Sequence, residues 1–293
     1  MTERLITSLD GRVLTVRFDN PPRHFFDARM GAELDALVTG LRRDRTVRAV
    51  VFTGQGENFI THVDVPMLAH GAGVAPFRVP YPLARAITRV PARQLRTAAR
   101  ISTALARLTR SDKVTIAAIN GLALGMGCVF ALACDIRLMN QDKRIGLPES
   151  GLGVLAAAGA TQRLVRSVGA GRALELLLDG RALTASEAVG IGLVHRAVPA
   201  AGLQDEASTL AHRLAGRPAA TVREIKRMVH DAATRPAARG LAMEAASLVT
   251  TLSSGQAEPR LTAYRDWLAG HPDPTDQEIL DGLGSFLTGG PLR

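Results

Sequence analysis

Residues 116–149 read IAAINGLALGMGCVFALACDIRLMNQDKRIGLPE, and two features of that stretch could carry chemistry. Gly125-Met126-Gly127 opens a run of small and apolar residues that reads as a short, tight helix. The first turn of any helix has backbone N–H groups without a partner inside the helix, and these attract negative charge. Glu149 is a lone acid about one strand further along. Donors for an oxyanion plus a carboxylate base are the parts needed to form an enolate. Each feature also has a plain structural reading. Gly125 and Gly127 could serve close backbone packing alone, and Glu149 could be a loop acid paired with an arginine.

These groups need elements to hold them. Apolar residues 5–7 and 13–18 flank Asp10-Gly11, a short hairpin signal. Asn20-Pro21-Pro22 ends the second strand, and Asp27 can cap a helix over 28–42 with Met30, Leu34, Leu37 and Leu41 on one side. The β-branched run VRAVVFT at 47–53 reads as a buried strand, and Gly54-Gln55-Gly56 turns out of it. Residues 58–65 (NFITHVDV) read as a short irregular segment, and 66–91, rich in Gly and Pro, as a mobile insertion. A helix from near Ala92 to Arg110 and a strand over 114–119 follow. Short helices are expected at 161–168, 171–178 and 185–190, and a last strand at 193–198. Helices are then expected at 203–214, 219–232, 239–252 and 259–269. Strands alternating with helices in the first two thirds imply an α/β core over 1–200, with a helical region over 201–293 as a separate layer. Leu241, Met243, Ala245, Leu248 and Val249 give that layer an apolar surface. It must lie either on its own core or on another subunit.

The 293 residues suit one large domain or one domain with an appended helical piece. Hydrophobic content is 46% and the aromatic share only 4%, so the core must be mostly Ala, Val, Leu and Ile. No apolar run approaches the roughly 20 residues of a membrane span. The first 18 residues carry Glu3, Arg4 and Asp10 and lack the long apolar core of a signal peptide. Cys128 and Cys134 are the only cysteines and read as small buried hydrophobes, with no disulfide framework and no metal site. A cytoplasmic protein fits all of this. The net charge of +9 suits an anionic ligand such as a phosphorylated cofactor, or a nucleic acid. The densest basic stretch runs Arg85, Arg89, Arg93, Arg96, Arg100, Arg107, Arg110, Lys113, mostly at helical spacing. A solvated helix face is the preferred reading over a phosphate site. The stripe lacks interleaved aromatics, which argues against nucleic acid.

Several segments in order carry a family resemblance: VRAVVFTGQGENFITHVDV, VTIAAINGLALGMGCVFALACDIRL, IGLPESGLG, GATQRL and GRALTASEAVGIGLVHRAVP. From about Leu5 to Trp267 the chain resembles the crotonase (enoyl-CoA hydratase/isomerase) superfamily. The resemblance implies a spiral core of ββα turns and C-terminal helices that build trimers or hexamers. It also implies acyl-CoA thioesters as substrates, with coenzyme A arriving as part of the substrate and no cofactor bound permanently, and a role in fatty acid metabolism. Two backbone N–H groups hold the thioester oxygen in that family, and they fall on Val63 and Met126. The family's CoA-binding loop falls on Arg23, His24 and Phe25, which could otherwise be a solvated arginine and an aromatic staple. Thr61, Asp64 and Val65 match the segment that meets the adenine and the thioester, although Asp64 could simply cap the next turn.

The departures matter for the reaction. Hydratases of the family hold a water between two glutamates. The second corresponds to Glu149, whereas the first falls on Val129, which cannot move a proton. A single base opposite an oxyanion hole suits double-bond isomerisation, weak hydration, or another enolate reaction that makes or hydrolyses a C–C bond. A CoA-ester binder without catalysis is the remaining reading. An apolar neighbour such as Val129 would raise the pKa of Glu149 by desolvation. His62 stands where the family usually has glycine, beside Val63, and is either a second acid–base group or a packed imidazole. Leu155-Ala156-Ala157 replaces a common proline and glycine, which points to an altered acyl pocket.

Overall fold

The computed structural model describes residues 3–66, 80–87, 93–232 and 234–288. Strands are β1 (Leu5–Asp10), β2 (Val13–Phe18), β3 (Ala49–Gly54), β4 (Val114–Ile119), β5 (Ala123–Leu124), β6 (Ile136–Asn140), β7 (Arg144–Gly146), β8 (Ala182–Thr184) and β9 (Arg196–Val198). The hairpin forms where expected, with Asp10 opposite Val13 and Gly11 at φ +55°. Beyond it the main sheet is parallel, in the order β1-β2-β3-β4-β6-β9. A second sheet has the order β5-β7-β8.

Alternation along the central strands divides the interior. Val50 and Phe52 of β3 and Ala117 and Ile119 of β4 join the larger core. Ala49, Val51, Val114, Ile116 and Ala118 face the other way into a smaller one. Successive side chains of a strand point to opposite faces, so a run buried throughout must be covered on both. Helices α1 (Ala28–Leu41), α2 (Tyr81–Ile87), α3 (Arg93–Thr109) and α4 (Met126–Ala133) precede β6. Of these, α1, α3 and α4 contribute Leu34, Leu105 and Phe130 to the larger core. Asp27 caps α1, its carboxylate accepting from Met30 N at 2.7 Å. Helices α5 (Ala160–Val168), α6 (Ala170–Asp179) and α7 (Ala185–Gly190) follow, and then α8 (Leu203–Ala215), which closes the smaller core. The last helices are α9 (Ala219–Ala232), α10 (Ala237–Leu252), α11 (Glu258–Ala269) and α12 (Asp276–Thr288).

A part-buried ion pair docks α9 on the sheet. Lys226 Nζ donates to Asp135 at 2.7 Å, and the same carboxylate accepts from Thr115 N at 2.8 Å. Burial alone would raise the Asp135 pKa, but His230 and Lys226 outweigh it and hold the carboxyl below its ordinary value. No helix among the described residues is long and apolar enough to cross a membrane.

Some expectations change. The last strand is three residues, Arg196–Val198, because Leu193 and Val194 turn into the larger core instead of continuing the ladder. Within the Gly/Pro-rich 66–91 stretch residues 81–87 are helical, and 67–79 and 88–92 lie outside the described residues. Lys113 does not extend the basic stripe: it is buried, donating to Asp44 O at 2.7 Å. Arg100 and Arg107 of that stripe pair with Asp35 on α1. Cys128 and Cys134 are free and buried.

Candidate active site

Chain leaving the carboxyl ends of β3 and β4 builds the site, the end at which open α/β sheets usually bind ligands. Asn120 ties the two exits together. Its amide accepts from Gly54 N at 2.9 Å and donates to Gly54 O at 2.9 Å and Gly56 O at 2.7 Å. The approach is too close for side chains: a Cβ on Gly54 would lie 1.5 Å from Asn58 O. The buried backbone groups left by Asn120→Ala would each cost about 1–3 kcal/mol. That variant is expected to lose about 2–3 kcal/mol of stability, read from urea denaturation. Sequence reasoning did not single out Asn120, although Asn-Gly directly after a buried strand was the available signal.

Four segments are then zipped side by side. Thr61 N donates to His24 O at 3.2 Å, Phe26 N to His62 O at 2.8 Å and Asp64 N to Phe26 O at 3.0 Å. On the other flank Leu124 N donates to Thr61 O at 3.1 Å, and Gly125 N to Gly146 O at 2.9 Å. Pairing of β5 with β7 sets Leu124 against Gly146, and the chain runs from Gly146 directly into the 3-10 turn Pro148–Leu152 that carries Glu149. This brings Glu149 and His62 to one point. An ideal Cβ on Gly125 would lie 2.9 Å from Glu149 Oε1 and 2.9 Å from His62 Nε2. Gly125 holds φ +50°, a conformation that suits glycine, so both the backbone and the space require it.

Two N–H groups lie open beside that point. In the parallel bridge between Phe26 and Val63, Phe26 bonds to the residues on either side of Val63, which turns the Val63 N–H away from the pairing. Met126 N–H belongs to the first turn of α4, where no intrahelical acceptor exists. Neither group donates to a described residue. The positive end of the helix dipole adds to the attraction for an oxyanion at Met126.

Glu149 is 7% exposed, and its Oε2 is buried without a hydrogen-bond partner. Desolvation raises its pKa; its own backbone N–H and the nearby His62 pull less strongly the other way. A desolvated carboxyl beside open N–H donors can serve in proton transfer. The alternative of an arginine partner for Glu149 is not what the structure shows, since no ion pair joins it to a described residue. Val129 is buried in α4 with a 2% exposed side chain, among apolar neighbours of the larger core. His62 is buried, its Nδ1 3.3 Å from Val63 O, and its backbone is not left-handed, so histidine stands there without strain.

The remaining predicted binding residues gather along the same seam. Arg23 is exposed with its guanidinium 5.9 Å from the Phe25 ring centre, and Phe25 is half-buried. His24 takes φ +52° and keeps a buried Nδ1 without a partner. Thr61 and Asp64 are half-buried and Val65 is 37% exposed. Phe26, by contrast, is a core residue at 0% exposure.

With this geometry in hand, comparison with known proteins is informative. The sequence model of a family described as enoyl-CoA hydratase/isomerase matches residues 83–269. A short-chain-enoyl-CoA hydratase from Clostridium acetobutylicum is 28% identical over 262 residues, covering 89% of this chain and 94% of that protein. A crystal structure of an enoyl-CoA hydratase subunit from Geobacillus kaustophilus aligns with TM-score 0.77 at 30% identity, covering 90% of this chain and 96% of the other. A structure from Thermobifida fusca in complex with CoA aligns with TM-score 0.73 at 30% identity, over 86% of this chain and 94% of that one.

Proposed function

The chain belongs to the enoyl-CoA hydratase/isomerase family and is a CoA-thioester enzyme of crotonase type; from that premise we propose that it forms a thioester enolate with Glu149 as the base. Glu149 takes the proton from C2 of the acyl chain. The Val63 and Met126 N–H groups receive the negative charge that develops on the thioester oxygen. Loss of one such donor typically costs about 10²–10³ in rate. The single observation that carries this reading is the buried Glu149 carboxyl at Gly125, its Oε2 without a hydrogen-bond partner, one residue before the Met126 N–H that donates to no described residue. Returning the proton to C4 would isomerise a 3-enoyl thioester to the 2-enoyl form, which needs one base only. Arg23, His24 and Phe25 with Thr61, Asp64 and Val65 would hold the CoA portion; the CoA complex of the Thermobifida fusca relative supports that class of ligand.

The test is proton NMR of a 3-enoyl-CoA in D₂O with wild type beside Glu149→Gln. Deuterium is expected in the acyl chain with the wild type alone, and a 2-enoyl product marks isomerisation. Absence of exchange with the wild type would leave a CoA-ester binder or a different acyl group.

The same reading extends to assembly as a trimer or a dimer of trimers. Leu241, Leu248 and Leu252 lie along one face of α10 and are 66%, 60% and 50% exposed in the single chain, with Val249 at 65% beside them. A stripe of that kind is ordinarily covered by another subunit. Light scattering is expected to give three or six times the 31.1 kDa chain mass, and Leu241→Glu with Leu248→Glu to give smaller species.

A further inference from the structure

The missing carboxylate at Val129 leaves a question of how water could be added, and the other side of Gly125 answers it. The three atoms nearest the absent Cβ of Gly125 are Glu149 Oε1 at 2.9 Å, His62 Nε2 at 2.9 Å and His62 Cδ2 at 3.2 Å. Only glycine fits there, and one carboxyl oxygen and one imidazole nitrogen converge on that point. We infer that His62 is a second catalytic group, a base for water that works with Glu149 as the acid, so that this chain hydrates 2-enoyl-CoA thioesters through a carboxylate–imidazole pair. The inference rests on the reading of Glu149, Val63 and Met126 given above.

The tautomer follows from the backbone. His62 Nδ1 lies 3.3 Å from Val63 O, and a carbonyl oxygen only accepts. Nδ1 therefore donates there, which leaves Nε2 as the ring nitrogen facing Glu149. No described residue donates to Nε2. Beside it, desolvation raises the pKa of the Glu149 carboxyl. A carboxyl and an imidazole nitrogen that face one point can divide the two proton transfers that addition of water to a C=C bond requires. Other ionisable side chains on the packed segments are Arg23, His24 and Asp27 on the loop before α1, Asp64 beside His62, and Cys128 on α4. Burial, with the Glu149 charge second, pushes the Cys128 thiol up to about 12, so it stays neutral.

The step balances. His62 Nε2 takes one proton from water as the oxygen bonds to C3. The C2=C3 π pair moves onto the thioester oxygen, where the Val63 and Met126 N–H groups hold it. The pair then returns to C2 and takes the proton from Glu149. Transfer of the proton from His62 to Glu149, which converge on the same point, restores both groups.

Two activities of the full-length protein separate the roles: hydration of crotonyl-CoA, and exchange of the C2 hydrogens of butyryl-CoA in D₂O, which needs Glu149 and no water addition. His62→Gln is expected to lower kcat for hydration by about 10²-fold or more, a larger factor than it costs exchange of the C2 hydrogens. Free imidazole should restore hydration to His62→Gly, which a purely structural role would not allow. Wild-type hydration by His62→Gln, exchange without hydration in the wild type, or parallel loss of both activities without imidazole rescue would each overturn the inference. Absence of both activities from the wild type would instead overturn the enolate reading beneath it.

Discussion

Glu149→Gln is expected to exchange C2 hydrogen about 10³–10⁴-fold more slowly than wild type, near the upper end of what one general base contributes. The glutamine keeps the shape of the side chain and loses only the proton acceptor. KM should change little, since Glu149 lies at the reacting end of the thioester and not among the residues assigned to CoA. Stability should move the other way. The folded pKa of Glu149 is raised by desolvation, so its neutral form is the one the fold accepts. A carboxyl with a raised pKa contributes stability below its unfolded pKa, and that contribution is lost as pH rises through the folded value. Above the ordinary carboxylate range the buried carboxyl therefore destabilises the wild type relative to the variant. Thermal melts of both proteins at about pH 4 and about pH 8 should show the variant gaining relative to wild type at the higher pH. A difference that does not change with pH would show that the carboxyl is not desolvated.

The second large effect concerns a glycine. In an exposed helix Gly→Ala usually stabilises by about 1 kcal/mol, yet Gly127→Ala in α4 is expected to destabilise by about 3 kcal/mol and to abolish most activity. The added Cβ would lie 2.0 Å from Ile60 O, and a backbone carbonyl cannot rotate away as a side chain can. Either α4 or the segment after Ile60 must shift. That segment carries His62 and the Val63 N–H, so the shift falls on the site. Misplacement by about 1 Å can cost about 10²-fold in rate. Gly40→Ala near the end of α1 is the control, since nothing lies within 4 Å of its Cβ. It should be neutral or slightly stabilising. Equal behaviour of the two variants in denaturant melts and in C2 exchange would show that the contact at Ile60 is not tight.

Much of the scaffold was legible because its signals are local and strong. The Asp10-Gly11 hairpin, the Asp27 cap and the apolar strands at 49–54 and 114–119 each follow from a few neighbouring residues. The short strands β5, β7 and β8 were not legible. Runs of two or three residues show no periodicity, and these form because β5 and β7 are brought together by the chain around them. Lys113 was misread for a related reason: its helical spacing from Arg110 says nothing of the carbonyl of Asp44 that takes its charge inside.

The sequence by itself determined the chemical kinds present: a lone acid at Glu149, a helix start at Gly125-Met126-Gly127, a histidine at 62 and a valine at 129. Residue type and local backbone preference are properties of a few adjacent residues, so they survive without the fold. Only the tertiary structure decided that His62 and Glu149 converge at Gly125 and that the Val63 and Met126 N–H groups donate to no described residue. Those facts depend on hydrogen bonds among segments far apart in the chain, Phe26 with His62, Thr61 with Leu124 and Gly125 with Gly146. The desolvation that raises the Glu149 pKa likewise exists only once those segments close around it.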